Sequence, residues 1–135
     1  MTHRHGGCLC GAIRYEIKSE PALVAVCHCT HCQKQSGAMY STNLGVPVAD
    51  YVQTGETKVF HDKGDSGKSV DRHFCGNCGS PILSSAEALP GMVLIKAGTL
   101  DSLVGIVPKM ELYTDRAAEW VPAVPGSQRF ALGLG

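Results

Sequence analysis

Apolar and polar residues alternate along much of the chain, with the period of two that predicts half-buried β-strands. Ile13, Tyr15 and Ile17 alternate with charged residues and give the clearest case. Short apolar runs predict further strands at residues 22–26, 38–46, 92–97 and 110–114. The pattern therefore predicts a mainly β fold built from short strands.

Turn residues separate these predicted strands. Residues 63–67 read Lys-Gly-Asp-Ser-Gly, and this turn signal predicts a hairpin between strands at 57–61 and 69–74. Residues 30–36 favour a helical turn that Gly37 would end. The tail from Val121 is rich in Pro and Gly and is expected to be irregular. Because no repeat or linker divides the chain, residues 1–135 are expected to form a single domain.

Composition and charge exclude several classes of protein. The hydrophobic content of 44% is ordinary for a globular protein, and the 6% of aromatic residues leave the core mainly to Val, Leu, Ile and Ala. Twelve Lys and Arg balance twelve Asp and Glu without a basic stripe, which argues against nucleic-acid binding. The apolar runs are too short for a membrane span or a signal-peptide core, so we expect a cytoplasmic protein without a membrane partner.

The seven cysteines carry the candidate chemistry of the chain. They fall into three groups, namely Cys8 and Cys10, then Cys27, Cys29 and Cys32, then Cys75 and Cys78. Cytoplasmic thiols stay reduced, so such groups indicate metal ligands or catalysts rather than disulfides. An odd number of cysteines also excludes complete pairing within a monomer.

The sequence Cys75-Gly-Asn-Cys78 has the composition of a zinc knuckle, with two thiols across a tight turn. One knuckle supplies two ligands, and Cys8 and Cys10 can supply the other two of a closed four-sulfur site. Two other interpretations remain open. Cys75 and Cys78 can instead form a redox dithiol, and Cys8 and Cys10 can instead join the central group.

The central group favours a metal site with an open position. On an extended backbone the side chains of Cys27 and Cys29 point the same way, and the following turn brings in Cys32. Three protein ligands leave a fourth position for water or substrate, as in catalytic zinc sites. Three thiolates on Zn²⁺ give a net charge of about −1, which suits a soft fourth ligand such as a substrate thiolate. Carbonyl polarisation by the same ion is the lesser alternative.

Other polar residues are expected to have supporting roles. Strand alternation turns His28 away from the neighbouring sulfurs, so His28 and His31 are interpreted as supporting or surface residues rather than ligands. His31 and Tyr40 are the candidate general acid or base residues. The candidate clamps for substrate carboxylates are Lys34, Lys68, Arg72 and Arg116.

Four segments together resemble the glutathione-dependent formaldehyde-activating enzyme family. They are Gly-Cys-Leu-Cys-Gly at 7–11, Cys-His-Cys-Thr-His-Cys at 27–32, Phe-Cys-Gly-Asn-Cys-Gly-Ser at 74–80 and Lys-Ala-Gly-Thr-Leu-Asp at 96–101. The resemblance implies an Mss4-like β-tent of mainly antiparallel sheets with two zinc ions per chain. It implies a structural zinc on Cys8, Cys10, Cys75 and Cys78, and a catalytic zinc on Cys27, Cys29 and Cys32.

The same resemblance implies a reaction. The family joins glutathione to formaldehyde to give S-hydroxymethylglutathione, a carbon–sulfur lyase reaction in reverse, so a small thiol and a small aldehyde are the expected partners. Two alternatives from other classes stay open. One is a non-catalytic zinc module that binds a protein partner or acts as a chaperone, and the other is a thiol-based redox enzyme.

Overall fold

The computed structural model describes residues 3–133, which form two β-sheets and one short α-helix. The strands are β1 (Arg4–Gly7), β2 (Arg14–Ile17), β3 (Leu23–Cys27), β4 (Ser41–Pro47), β5 (Tyr51–Thr54), β6 (Lys58–Lys63), β7 (Ser69–Phe74), β8 (Pro81–Ala86), β9 (Met92–Lys96), β10 (Met110–Leu112) and β11 (Gln128–Arg129). The helix α1 covers Thr30–Ser36, and 3₁₀ turns cover Val48–Asp50, Ala97–Thr99 and Thr114–Arg116. No helix within residues 3–133 has the length and apolar character needed to cross a lipid bilayer.

The strands divide into a small and a large sheet. The small sheet has the order β1-β2-β5 and is antiparallel throughout. The large sheet has the order β11-β10-β3-β4-β9-β8-β7-β6 and is antiparallel except around β10, which runs parallel to both β3 and β11. The mainly β class with antiparallel sheets, predicted from the sequence, is confirmed.

The local predictions hold where turn chemistry is strong. Strands β6 and β7 pair as the expected hairpin, from Lys58 opposite Phe74 to Lys63 opposite Ser69. Gly37 ends α1 in a left-handed conformation with φ of 72°, and its amide donates to the carbonyl of Gln33. Only glycine adopts this conformation without a steric cost, which explains the end of the helix.

Several strand boundaries differ from the prediction. The strand predicted at 38–46 begins only at Ser41, because the chain is still leaving the helix before it. The strand predicted at 110–114 ends at Leu112, because Tyr113 has a left-handed φ of 54° and leads into a 3₁₀ turn. The tail from Val121 is irregular as expected, apart from the two residues of β11.

The core lies between the two sheets. Ile13, Tyr15 and Ile17 pack from the small sheet and its approach, and Leu44 and Ile95 pack from the large one. The hydroxyl groups of Tyr15 and Thr99 also lie 2.6 Å apart and link the two sheets by a hydrogen bond. One face of the large sheet is thus apolar, which leaves its other face free to support polar groups.

Candidate metal centres

The first cysteine cluster joins the loops that follow β1 and β7. The sulfurs of Cys8, Cys10, Cys75 and Cys78 all lie within 4.8 Å of one another. The Sγ–Sγ distance is 3.6 Å between Cys8 and Cys10 and 3.8 Å between Cys10 and Cys75. Because one pair follows a strand of each sheet, a metal held here would connect the two sheets.

Two similar turns present these four sulfurs. The amide of Cys8 donates to the carbonyl of Ile13 at 3.1 Å, and the amide of Cys75 donates to the carbonyl of Ser80 at 2.9 Å. Each turn reverses at a glycine with a left-handed φ, 84° at Gly11 and 82° at Gly79. A residue with a Cβ would be strained at either position, so the glycines are needed to curl the chain around the sulfurs.

Amide groups donate hydrogen bonds to the sulfurs of this cluster. The amide of Ile13 donates to Cys8 Sγ at 3.2 Å, and the side-chain amide of Asn77 donates to Cys10 Sγ at 3.2 Å. Hydrogen bonds from the hydroxyl and amide of Ser80 lower the pKa of the Cys78 thiol to about 5. Such donors favour thiolates, and four thiolates are the donor set of a closed structural zinc site. The cluster therefore fits a metal ion.

The second cluster lies where β3 leads into α1. Cys27 ends the strand, Cys29 is the N-cap of the helix, and Cys32 lies in its first turn. Their sulfurs lie within 4.8 Å of one another, and all three residues are buried. Cys29 Sγ accepts the amide of Cys32 at 3.3 Å, so this sulfur also takes the place of the usual Ser or Asp cap.

The three thiols influence one another's ionisation. Hydrogen bonds from Cys27 and Cys29 and the charge of Lys96 lower the pKa of Cys32. Contact with Cys29 and Cys32, together with burial, raises the pKa of Cys27 far above its ordinary value. A first thiolate thus disfavours the next, and a divalent cation among the sulfurs would remove this repulsion. This cluster also fits a metal ion, with three protein ligands rather than four.

A buried polar row lies on the face of the large sheet that carries Cys27. Directly paired residues of neighbouring strands share a face, so the register places Asn43 with Lys96 and Ser84 with Arg72 on this side. Leu94, opposite Ser84, connects the two pairs because it shares a face with Lys96. Ser41, opposite Cys27, extends the row on the same face. We call Ser41, Asn43, Lys96, Ser84 and Arg72 the polar row, and all five are buried.

His28 turns away from the sulfurs, as strand alternation predicts. Its Nε2 lies 3.0 Å from Glu111 Oε1, and both side chains are almost completely buried. Glu111 also accepts hydrogen bonds from the amide of Val124, the hydroxyl of Ser127 and the guanidinium of Arg129. Burial alone would raise the pKa of Glu111, but hydrogen bonds from His28, Ser127 and Val124 outweigh it and lower this pKa to about 2.

His31 belongs to a separate charged group beside α1. Its Nδ1 lies 2.8 Å from Asp62 Oδ2, which also accepts the Nε–H of Arg72 at 2.9 Å. Burial alone would raise the pKa of Asp62, but the His31 and Arg72 hydrogen bonds lower it. A cleft of about 450 Å³ opens here, lined by His31, Asp62 and Arg72 together with Lys34 and Phe60. The charged groups at its floor thus already have partners within the protein.

The remaining predicted site residues are dispersed. Arg116 pairs with Asp65 and stacks over the ring of Tyr113, which itself packs against the central cysteines. Lys68 lies in the exposed turn between β6 and β7, away from both clusters in the chain. Tyr40 lies between α1 and β4, and its ring approaches that of His28 with centroids 5.5 Å apart.

The sequence reasoning missed two residues of the central site. Glu111 and Lys96 had no assigned role, although each is a charged residue next to apolar strand residues. A charge in such a position is the available signal, because a strand residue facing inward cannot remain ionised without a partner. The partners themselves come from distant segments and could not be named from the sequence.

Comparison with solved structures supports the fold. A crystal structure of a Rhodobacter sphaeroides protein superposes with a TM-score of 0.57 at 15% identity, covering 93% of this chain and 98% of the other. No curated protein matches the chain.

The family model described as glutathione-dependent formaldehyde-activating enzyme matches residues 3–116, which is most of the chain and includes all seven cysteines. This chain therefore belongs to the glutathione-dependent formaldehyde-activating enzyme family.

Proposed function

We propose that this chain is a zinc-dependent enzyme of the carbon–sulfur lyase type. It joins a small thiol such as glutathione to formaldehyde or a related small aldehyde, or cleaves the same carbon–sulfur bond in reverse. The observation that carries the proposal is the central cluster, where three buried sulfurs lie within 4.8 Å of one another in a chain of this family.

The two clusters would have different roles, one structural and one catalytic. Cys8, Cys10, Cys75 and Cys78 would hold a closed structural zinc, and Cys27, Cys29 and Cys32 would hold a second zinc with an open position. Zinc bound at the second site would supply the positive charge that keeps a substrate thiol ionised at neutral pH.

The chain's own residues would bring the reactants together. The thiolate sulfur donates its electron pair to the carbonyl carbon, the carbon–oxygen π pair moves to oxygen, and the oxygen takes up a proton equivalent to the one that the thiol released. Holding both reactants in one site makes this step effectively unimolecular. The burial of Cys27, Cys29 and Cys32 limits water at the reacting sulfur.

The test is thiol-dependent consumption of formaldehyde by the wild type and by Cys29→Ser, with several thiols and with zinc content measured per chain. Serine is a favoured N-cap, so the variant is expected to keep α1 and the fold while losing the central zinc and the activity. Circular dichroism and one zinc per chain serve as the controls for folding. Unchanged activity in the folded variant would exclude the central cluster as the reaction centre.

The same experiment tests the non-catalytic alternative. If the wild type holds two zinc ions, consumes no aldehyde with any thiol, and binds no thiol at the central site, the chain is a zinc-binding module rather than an enzyme. A disulfide formed under mild oxidation with release of zinc would instead indicate a thiol-based redox protein.

A further inference from the structure

Lys96 is a buried cation without a carboxylate partner. It is 7% exposed, and its Nζ donates to Asn43 Oδ1 at 2.8 Å. Among residues 3–133 no ion pair joins this ammonium group to an Asp or Glu, whereas the equally buried Arg72 of the polar row is paired with Asp62. Since burying an unpaired charge is costly, the position of Lys96 indicates that an anion is meant to lie near it.

The central sulfurs can supply only part of the negative charge that Lys96 needs nearby. Lys96 lies opposite Asn43 on the sheet face where Ser41 lies opposite Cys27, so the register brings the ammonium to the side of the cluster. Burial lowers the pKa of Lys96, whereas negative charge on the three cysteines raises it and favours the ammonium form. Three thiolates and a divalent ion leave a charge of about −1, which one ammonium balances. A bound substrate thiolate adds a second negative charge, and attack on a carbonyl moves that charge onto the aldehyde oxygen. A fixed cation beside the cluster is therefore suited to the oxygen as the charge develops.

An open cleft has Lys96 in its lining. It has a volume of about 320 Å³, and Lys96 lines it together with the hydroxyl-bearing residues Tyr40, Ser41 and Thr99. Ser41 lies directly opposite Cys27 in the paired strands β4 and β3, so one wall of the cleft adjoins the central cluster. The 450 Å³ cleft instead offers Arg72 and His31, which Asp62 already binds.

We propose that the 320 Å³ cleft is the aldehyde-binding site and that Lys96 is a catalytic residue whose ammonium donates a hydrogen bond to the carbonyl oxygen. This inference rests on the proposed function, because it assigns the second reactant of that reaction. As the carbon–sulfur bond forms, the π electron pair of the carbonyl moves to the oxygen beside Lys96. The proton that completes the hydroxyl group comes from water in the cleft and replaces the one that the thiol released.

Two variants test the charge of Lys96 and the access of the aldehyde to the cleft separately. Lys96→Met removes the ammonium but keeps an unbranched side chain of similar length. Gly98→Leu narrows the cleft without touching a charge, since a Cβ on Gly98 meets no heavy atom within 4 Å. The matched control is Lys18→Met, which removes an exposed lysine just after β2.

The activity assay uses one thiol at saturation and varies the aldehyde. Loss of one donor to a developing oxyanion typically reduces kcat by about 10²–10³-fold, and this is the expected effect of Lys96→Met with both zinc ions retained. Gly98→Leu should reduce kcat/KM more for acetaldehyde than for formaldehyde, and Lys18→Met should match the wild type. Loss of the central zinc from Lys96→Met would assign this residue to the sulfur centre instead and overturn the proposal.

A second readout does not depend on turnover. Formaldehyde with cyanoborohydride methylates any lysine amine that the aldehyde reaches, and mass spectrometry of peptides locates the methyl groups. Lys96 should be methylated in the folded wild type despite its burial, and Gly98→Leu should slow this methylation but not that of Lys18. Because only an unprotonated amine reacts, the labelling is repeated at increasing alkaline pH. A Lys96 that stays unmodified throughout, beside fully methylated exposed lysines, would show that the aldehyde does not reach it.

The two proposals fail in different ways. Full activity in folded Cys29→Ser would remove the proposed function. Wild-type turnover that survives in Lys96→Met would remove only the role of Lys96.

Discussion

Cys10 Sγ and Cys75 Sγ lie 3.8 Å apart although 65 positions separate the two residues in the chain. Cys10 lies in the loop after β1 of the small sheet, and Cys75 comes directly after β7 of the large sheet. The contact therefore closes a long loop, and a metal bound there would fix the relative position of the two sheets. Its loss should affect the whole fold rather than one loop.

Replacing Cys78 should be far more damaging than replacing Cys29. Structural zinc in small modules contributes apparent values of about 10–16 kcal/mol, whereas domains of this size are stable by only about 5–15 kcal/mol. We expect Cys78→Ser to be insoluble or unfolded, and Cys29→Ser to be soluble with a native circular dichroism spectrum. Equal damage from the two variants would show that the assignment of structural and open sites is wrong.

Zinc removal should proceed in two steps. The central cluster provides three sulfurs and the other cluster four, so a competing chelator should take the central ion first. A colorimetric chelator is expected to remove about one zinc per chain quickly without a change in circular dichroism, and the second slowly with unfolding. Cys29→Ser should show the slow step alone, and a single step in the wild type would contradict the assignment.

Glu111→Gln should destabilise the fold in a pH-dependent manner. Hydrogen bonds lower the pKa of Glu111 from 4.5 to about 2, so the carboxylate contributes stability above about pH 4.5 and loses it as the pH falls through 2. The full pKa shift corresponds to roughly 3 kcal/mol of unfolding free energy, and the Gln variant should lose a large part of it.

The measurement is the difference in unfolding free energy between Glu111→Gln and the wild type. Any metal bound by the thiolates would leave both proteins in acid, so this difference, rather than either stability alone, isolates the carboxylate. It should be constant from pH 7.5 to 5.5 and decrease only below about pH 4.5. A difference that already declines within the range from pH 7.5 to 5.5 would contradict the assignment of this stability to the Glu111 carboxylate.

Gly6→Ala should destabilise the contact between the sheets. A Cβ on Gly6 would lie 2.4 Å from the carbonyl oxygen of Thr99 and 2.4 Å from the hydroxyl oxygen of Tyr15. Overpacking of this kind typically costs about 1–3 kcal/mol. Gly98→Ala is the matched control because its Cβ meets no heavy atom within 4 Å. Thermal unfolding that is equal for the two variants would contradict this packing.

The cysteine grouping and the β6–β7 hairpin could be predicted because each depends on local spacing. Cys27, Cys29 and Cys32 lie within six residues, and the turn between the hairpin strands has its own Gly and Asp signals. Strand β1 was missed because its sequence, Arg-His-Gly-Gly, has no apolar alternation. It forms because Gly6 fits against the ring of Tyr15 on β2, a contact that no local pattern reveals.

The hydrogen-bond partners of His28 and Lys96 could not be predicted either, because they come from distant segments of the chain. The partners of His28 lie 83 residues away at Glu111, and Lys96 reaches Asn43 across 53 residues. Strand alternation correctly turned His28 away from the sulfurs, but only the parallel pairing of β10 with β3 shows what lies there. Long-range sheet register, rather than residue type, determines these contacts.

The pairing of sulfurs from both sheets has a consequence for how the protein is made. Cys8 and Cys10 leave the ribosome before Cys75 and Cys78, and their thiols lack these partners until that later stretch has been synthesised. During that interval they are open to oxidants and to other metals. We therefore expect the yield of native protein in a cell to follow the supply of free zinc during translation, even when the messenger RNA level is constant.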